Sequence, residues 1–232
     1  MKRWLRILLP AAVALAILCP TLSFAASKQQ EKLNASISVL NQVMAIPEKG
    51  IPPDLLANAY GIAIIPNVIK VGFILGGRYG TGVLVIRDGD NHWGNPSFIT
   101  LTGGSLGWQI GAQSTDVILV FKTRRSVEGI IKGKFTLGAD AAVAAGPVGR
   151  RVEGATDVKL KAEIYSYSRS RGLFAGVSLE GSAIQIDKDA NASFYGRSGI
   201  SAGDILEGPP LPRPGVTHLK QMLAAYAKPP TH

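Results

Sequence analysis

All 27 glycines of this chain fall between Gly50 and Gly215, at roughly twice the ordinary density or more. They recur in one kind of phrase, such as Gly103-Gly104-Ser105-Leu106-Gly107-Trp108-Gln109-Ile110-Gly111 and Gly172-Leu173-Phe174-Ala175-Gly176-Val177-Ser178-Leu179-Glu180-Gly181. Val, Ile, Leu and aromatic residues lie between them, and these favour strands. Glycine within strand-like runs marks bulges, tight bends or close approach of another backbone. The pattern therefore predicts a bent or closed β-architecture.

Residues 62–123 read as strands, with candidates at 68–75, 82–87, 98–101, 107–111 and 117–121. Asp88-Gly89-Asp90-Asn91 is a hairpin turn signal. Residues 124–131 read as one or two helical turns, with Val127, Ile130 and Ile131 inward. Residues 138–149 are rich in alanine, which suits a tightly packed strand or crossing. From Val158 to Tyr167 the alternation is clearest: Val158, Leu160, Ala162 and Ile164 share one face. The other holds Lys159, Lys161, Glu163, Tyr165 and Tyr167, and continues to Arg169 and Arg171. Period-2 alternation predicts one packed and one wet face. Two further short strands are expected within 172–187.

Helices are expected at both ends. Leu33, Ile37, Leu40 and Met44 fall on one side of a helix over 27–46. That helix either lies on a membrane or packs on its own domain; it lacks the aromatic and basic residues of a membrane-surface helix. A short helix is expected over 52–60, with prolines in its first turn and Gly61 at its end. After a proline-rich stop at 209–214, a last helix over 216–227 places Leu219, Leu223 and Tyr226 on one side. The expected class is α+β: a bent antiparallel sheet or barrel with helices at its N- and C-terminal ends.

The first 25 residues have the form of a secretory signal peptide of bacterial type: Lys2, Arg3 and Arg6, an apolar core over 7–18, then Ser23-Phe24-Ala25. The core is too short for a retained membrane helix. Residues 26–232 are then one exported domain, periplasmic or secreted. Cys19, the only cysteine, lies within the signal between Leu18 and Pro20, a setting that argues against lipidation. No disulfide would then hold the exported protein, so its core must suffice.

The formal charge of +9 falls to +6 from residue 26 onward, and residues 122–171 alone carry +6. A basic segment on a neutral body fits either an anionic surface or an ordinary solvated face. Lys122, Arg124, Arg125, Lys132, Lys134, Lys159, Lys161, Arg169 and Arg171 are the candidate cations, with Tyr165 and Tyr167 expected among lipid headgroups.

Catalytic and metal patterns fail on context. Gly103-Gly104-Ser105-Leu106-Gly107 has the letters of a nucleophile elbow, but the residues after Ser105 read as strand rather than helix. Asp187-Lys188-Asp189-Ala190-Asn191 opens like a calcium loop, yet Ala192 and Ser198 stand where glycine and glutamate are needed, so a polar turn is expected. Asp88, Asp90 and His92 are explained by the hairpin turn. No phosphate loop, dinucleotide or zinc pattern is present. No cofactor, no catalytic residue and no nucleic-acid partner are expected.

Several phrases also carry a resemblance. In order they are Gly61-Ile62-Ala63-Ile64-Ile65-Pro66, Gly76-Gly77-Arg78-Tyr79-Gly80-Thr81-Gly82, Trp93-Gly94-Asn95-Pro96-Ser97-Phe98, the Gly103 phrase, Ala145-Gly146-Pro147-Val148-Gly149, Tyr165-Ser166-Tyr167-Ser168, the Gly172 phrase and Phe194-Tyr195-Gly196. Together, over about 33–225, they resemble the SYLF domain family. The resemblance implies binding to phosphorylated or anionic lipids; some eukaryotic members also bind actin. The expected function is an exported, non-enzymatic protein that docks on anionic phospholipid or a membrane surface. The alternatives are a carrier enclosing an apolar ligand in a glycine-bent barrel, and an envelope module binding a protein partner.

Overall fold

The computed structural model describes residues 20–46, 50–146, 162–170, 173–174 and 179–227; at 20–27, 72–75, 105–112 and 173–174 only the backbone is described. Its elements are α1 (Pro20–Met44), α2 (Pro53–Ala57), β1 (Gly61–Ile86), β2 (Ser97–Phe121), α3 (Arg124–Lys132), β3 (Phe135–Thr136), β4 (Val143–Ala145), β5 (Ile164–Ser170), β6 (Leu173–Phe174), β7 (Ala183–Ile186), α4 (Lys188–Tyr195), α5 (Ala202–Leu206) and α6 (Pro214–Tyr226). The class is α+β, with a curled sheet and helices at both ends.

The five strand candidates within 62–123 merge into two. β1 and β2 run antiparallel from Gly61↔Phe121 to Leu84↔Ser97. Glycines do not end these strands; the ladder instead shifts register between Ile65 and Val68 and between Gly72 and Ile74. At the first shift Asn67 adopts a positive φ of 52°, and its N–H donates to Asp116 Oδ1 at 3.0 Å. The expected turn closes the far end: Arg87 bridges Trp93, and Asp88 Oδ1 accepts from the N–H groups of Asp90 and His92.

β1 also folds back on itself. Its ends meet where Arg87 N–H donates to Tyr60 O at 2.8 Å. A Cβ on Gly82 would stand 2.1 Å from Ile64 O, and one on Gly80 would stand 2.8 Å from Val68 Cγ2. Only glycine permits that approach of two stretches of backbone. The outer strands then add to β2: β5 along 116–121, β7 along 99–102, with β3 beyond β7 and β4, parallel, beyond β5.

This doubling buries the sheet on both faces. Ile62, Ile64, Val83, Val85, Ile118 and Val120 join one core, beneath Leu33, Leu40 and Val43 of α1, Phe194 of α4 and Leu219 and Leu223 of α6. Their alternates Ala63, Ile65, Leu84, Ile86, Val117, Leu119 and Phe121 join a second core with Val127 and Ile130 of α3 and Leu206 of α5. Continuous apolar runs result from burial on both sides, where a half-wet sheet would alternate. α1 packs on the sheet through the predicted face, with Leu33 and Leu40 fully buried. It begins at Pro20, so it runs through the predicted cleavage point.

Two helices within 187–206 were not legible as periodic patterns, although their caps are present. Asp187 accepts from Ala190 N–H to start α4, and Gly196, at φ 67°, ends it. Ser201 and Asp204 form a reciprocal capping box on α5. The close approach within β1 makes a sharp expectation. Gly82→Ala costs about 2 kcal/mol or more by forcing β1 apart. Gly77→Ala, whose Cβ meets nothing within 4 Å, stays within about 0.5 kcal/mol of wild type. Urea unfolding of both variants measures the contrast.

Candidate anionic-surface site

Lys122, Arg124, Arg125, Lys132 and Lys134 gather on and around α3, and all five are exposed. The helix starts there because Thr123 caps it and because the carboxylate of Glu163 accepts from Thr123 Oγ1 and Ser126 Oγ, both at 3.1 Å. A carboxylate at a helix N-terminus is favoured by the unpaired N–H groups. Lys122 Nζ lies 5.4 Å from the centre of the Tyr165 ring. Arg124 is engaged by Glu128, with Nε 2.7 Å from Oε1, and by Glu207 at 3.9 Å. That hydrogen bond to Glu128 raises the already high pKa of Arg124. Lys132 Nζ reaches Glu128 Oε2 at 4.0 Å. Five cations therefore face three carboxylates, and the excess is borne by exposed, screened side chains.

Within the predicted wet face of residues 158–171, the structure corrects the placement of Tyr165 and Tyr167. Tyr165 and Tyr167 are only 6% and 3% exposed and belong to the first core, beneath the helices. Burial pushes the Tyr167 hydroxyl far up in pKa. They cannot stand among headgroups while the helices stay in place. The alternation was real, but both faces of this sheet are covered, so period 2 did not separate packed from wet. Gly146 allows the burial: a Cβ there would fall within the Tyr167 ring. Arg169 is half-buried and donates from Nη1 to Gln42 Oε1 of α1. It lies opposite Asp116, five ladder steps from the Ile164 end where the α3 cations gather. Lys159, Lys161 and Arg171 lie outside the described residues.

The catalytic and metal readings resolve plainly. Ser105 lies inside β2, paired with Gly76, and no helix follows it. His218 is exposed on α6. Asn191, fully buried, accepts from Phe98 N–H at 2.8 Å and donates to Ser97 Oγ at 3.1 Å, tying α4 to the start of β2. Asp187 is occupied as a helix cap. What resembled a calcium loop is thus a capped helix anchored in the core. Among the described residues no cluster of three or more acidic, His or Cys side chains is placed to hold a metal. Sequence reasoning also missed a groove of about 440 Å³ between the 87–93 turn and α6, lined by Trp93, Pro210, Leu211, Pro212 and Lys220 among others. The Arg87 guanidinium, 4.3 Å from the Trp93 ring, donates to Ala59 O, Leu56 O and Asn91 O at its edge.

A curled sheet between two helical layers, bearing a cationic helix at one end, is the class to which the sequence comparisons can be put. A family model described as Ysc84, Las17-binding protein actin regulator, matches residues 102–226. LAS seventeen-binding protein 3 of Saccharomyces cerevisiae is 40% identical over 204 residues, covering 87% of this chain and 44% of that protein. SH3 domain-containing YSC84-like protein 1 of Homo sapiens is 43% identical over 169 residues, covering 72% and 48%. The Xenopus laevis protein of the same name is 41% identical over 163 residues, covering 70% and 48%. The chain belongs to the Ysc84, or SYLF, family. It spans about half the length of the curated relatives it matches.

The anchoring role of Asn191 gives a direct test. Asn191→Ala leaves Phe98 N–H unpaired in the core and lowers stability by about 2 kcal/mol. Chemical unfolding with calcium and with a chelator reads both claims: the variant loses stability, and neither addition shifts the wild-type curve.

Proposed function

We propose that this protein is a non-enzymatic lipid-binding member of its family, exported, and peripheral to a membrane. It docks reversibly on anionic or phosphorylated headgroups. The observation that carries the reading is the exposed cation group on and around α3, Lys122, Arg125, Lys132 and Lys134, on a chain of net charge +6 from residue 26 onward. Arg124 contributes less, because Glu128 and Glu207 already engage it. Each cation near a charged bilayer contributes about 1 kcal/mol, so four or five together support weak, salt-sensitive docking. The site binds by charge. At the base of the sheet, along 62–65, 83–86 and 117–121, both faces are filled by side chains, which favours surface docking over a ligand enclosed in a barrel.

A second reading rests on the relatives' names. The family model is described as a Las17-binding actin regulator and the yeast relative is named for binding LAS seventeen, and the same cationic group would serve a protein partner with an acidic face. The two separate in one experiment. The chain from Ala26 onward, which keeps every side chain described above, is sedimented with phosphatidylglycerol or with phosphatidylcholine vesicles at low and high salt. Binding to the anionic vesicles alone, lost at high salt and in Lys122/Arg125/Lys132/Lys134→Ala, is the expected result. No binding to either vesicle would sink lipid docking and leave the protein-partner reading.

A further inference from the structure

The groove between the 87–93 turn and α6 has fixed walls. Asn95 Nδ2 donates to Ile205 O at 3.2 Å and to Pro209 O at 2.8 Å, and Asn95 Oδ1 accepts from Leu211 N–H at 2.9 Å. Residues 209–212 are thereby tied to the end of the turn, and Pro209, Pro210 and Pro212 restrict their backbone further. Across from them the Arg87 guanidinium holds the turn through the carbonyls of Leu56, Ala59 and Asn91. The result is a preformed space of about 440 Å³, the size that takes a small organic molecule.

Its lining is apolar and cationic. Trp93, Pro210, Leu211 and Pro212 supply the apolar surface, Arg87 and Lys220 supply charge, and none of the described residues lining it is acidic. The acceptors that Arg87 engages are neutral carbonyls, which leave its charge in place. Burial lowers its pKa, and the neighbouring Asp88 offsets that only in part. Asp88 is itself turned to backbone, where its Oδ1 accepts from the N–H groups of Asp90 and His92. Lys220 forms no ion pair among the described residues.

Trp93 supplies an independent sign of a ligand. It is 3% exposed, and its Nε1–H is buried with no acceptor among the described residues. A buried N–H without a partner is rare and calls for an explanation. That N–H lies in the plane of the ring, and Arg87 stands over the ring at 4.3 Å, so an acceptor arrives at the ring edge. An anion with an apolar body answers all of these features. A carboxylate both pairs with an ammonium and accepts from an indole N–H.

We infer that this groove binds a small free carboxylic acid with an apolar body, of the kind a medium-chain fatty acid presents: Lys220 and Trp93 Nε1–H take the carboxylate, and Pro210, Leu211 and Pro212 take the chain. Because water does not reach Nε1, the lining side chains shift as the acid enters, a common change on binding. The inference goes beyond the docking reading and is independent of it, since none of the α3 cations lines this groove.

From Ala26 onward the chain has two tryptophans, Trp93 and Trp108, so Trp108→Phe leaves Trp93 as the reporter. Titration with octanoate is expected to shift its emission to saturation. By calorimetry on the chain with both tryptophans, octanol, which has the same tail and no charge, binds roughly tenfold more weakly. Lys220→Gln and Trp93→Phe each lose roughly tenfold in octanoate affinity. Ala224→Phe, at an exposed position of α6 in the groove wall, abolishes binding while thermal unfolding stays that of the wild type. Lys220→Gln and Ala224→Phe keep the test decisive if Trp93→Phe does not fold. No saturable response, equal binding of octanol, or undiminished binding by Ala224→Phe would each overturn the inference. Preference for octyl phosphate over octanoate would assign the groove to a phosphate monoester and overturn the carboxylate. Vesicle sedimentation is read separately, so a failure of lipid docking is not mistaken for a failure here.

Discussion

The approach of one half of β1 to the other governs this structure. It is a contact of backbone on backbone, with Ile64 O and Ile65 Cα standing where a side chain on Gly82 would begin. No favourable side-chain interaction produces it. Its source is the burial of alternate residues from both halves in two cores, which lies beyond reach unless the halves close up. The hydrophobic effect supplies the force, and glycine removes the obstacle. That approach brings with it the two-sided burial, the meeting of Tyr60 with Arg87, and the placement of every helix over one core or the other.

This arrangement explains which parts of the fold could be read from sequence. The apolar runs at 62–65, 83–86 and 117–121 were legible as strands because no water-facing residue interrupts them. The turn at Asp88 was legible from its own chemistry. Strand length was not, because glycines read as breaks when they serve as close-approach points inside continuous ladders. α4 and α5 escaped for a different reason. Each is eight residues or fewer, too short for a periodic stripe, and is specified at its ends by Asp187, Gly196, Ser201 and Asp204. Short helices announce themselves in their caps.

The candidate site was legible in part. Within the basic stretch 122–171, the cations at 122, 124, 125, 132 and 134 are exposed because they surround a helix with one buried stripe, Val127 and Ile130. The tyrosines were misplaced by a sound rule applied to an unsuitable sheet. Alternation of charged and apolar residues predicts a wet face only if the sheet has one, and at Tyr165 and Tyr167 this face is packed into the first core.

The meeting of Tyr60 with Arg87 has a wider meaning for how such chains can diverge. Because β1, paired with β2 along its length, bends back to its own starting point, everything past Val68 and Gly80 hangs from a closed base. Strand alternation survives when residues are added or removed there in matched pairs on both strands. The reach of the paired strands is then a variable separate from the stability of the two cores, open to selection on its own. A lineage could lengthen it, shorten it or change its tip while the layers beneath keep the same sequence constraints.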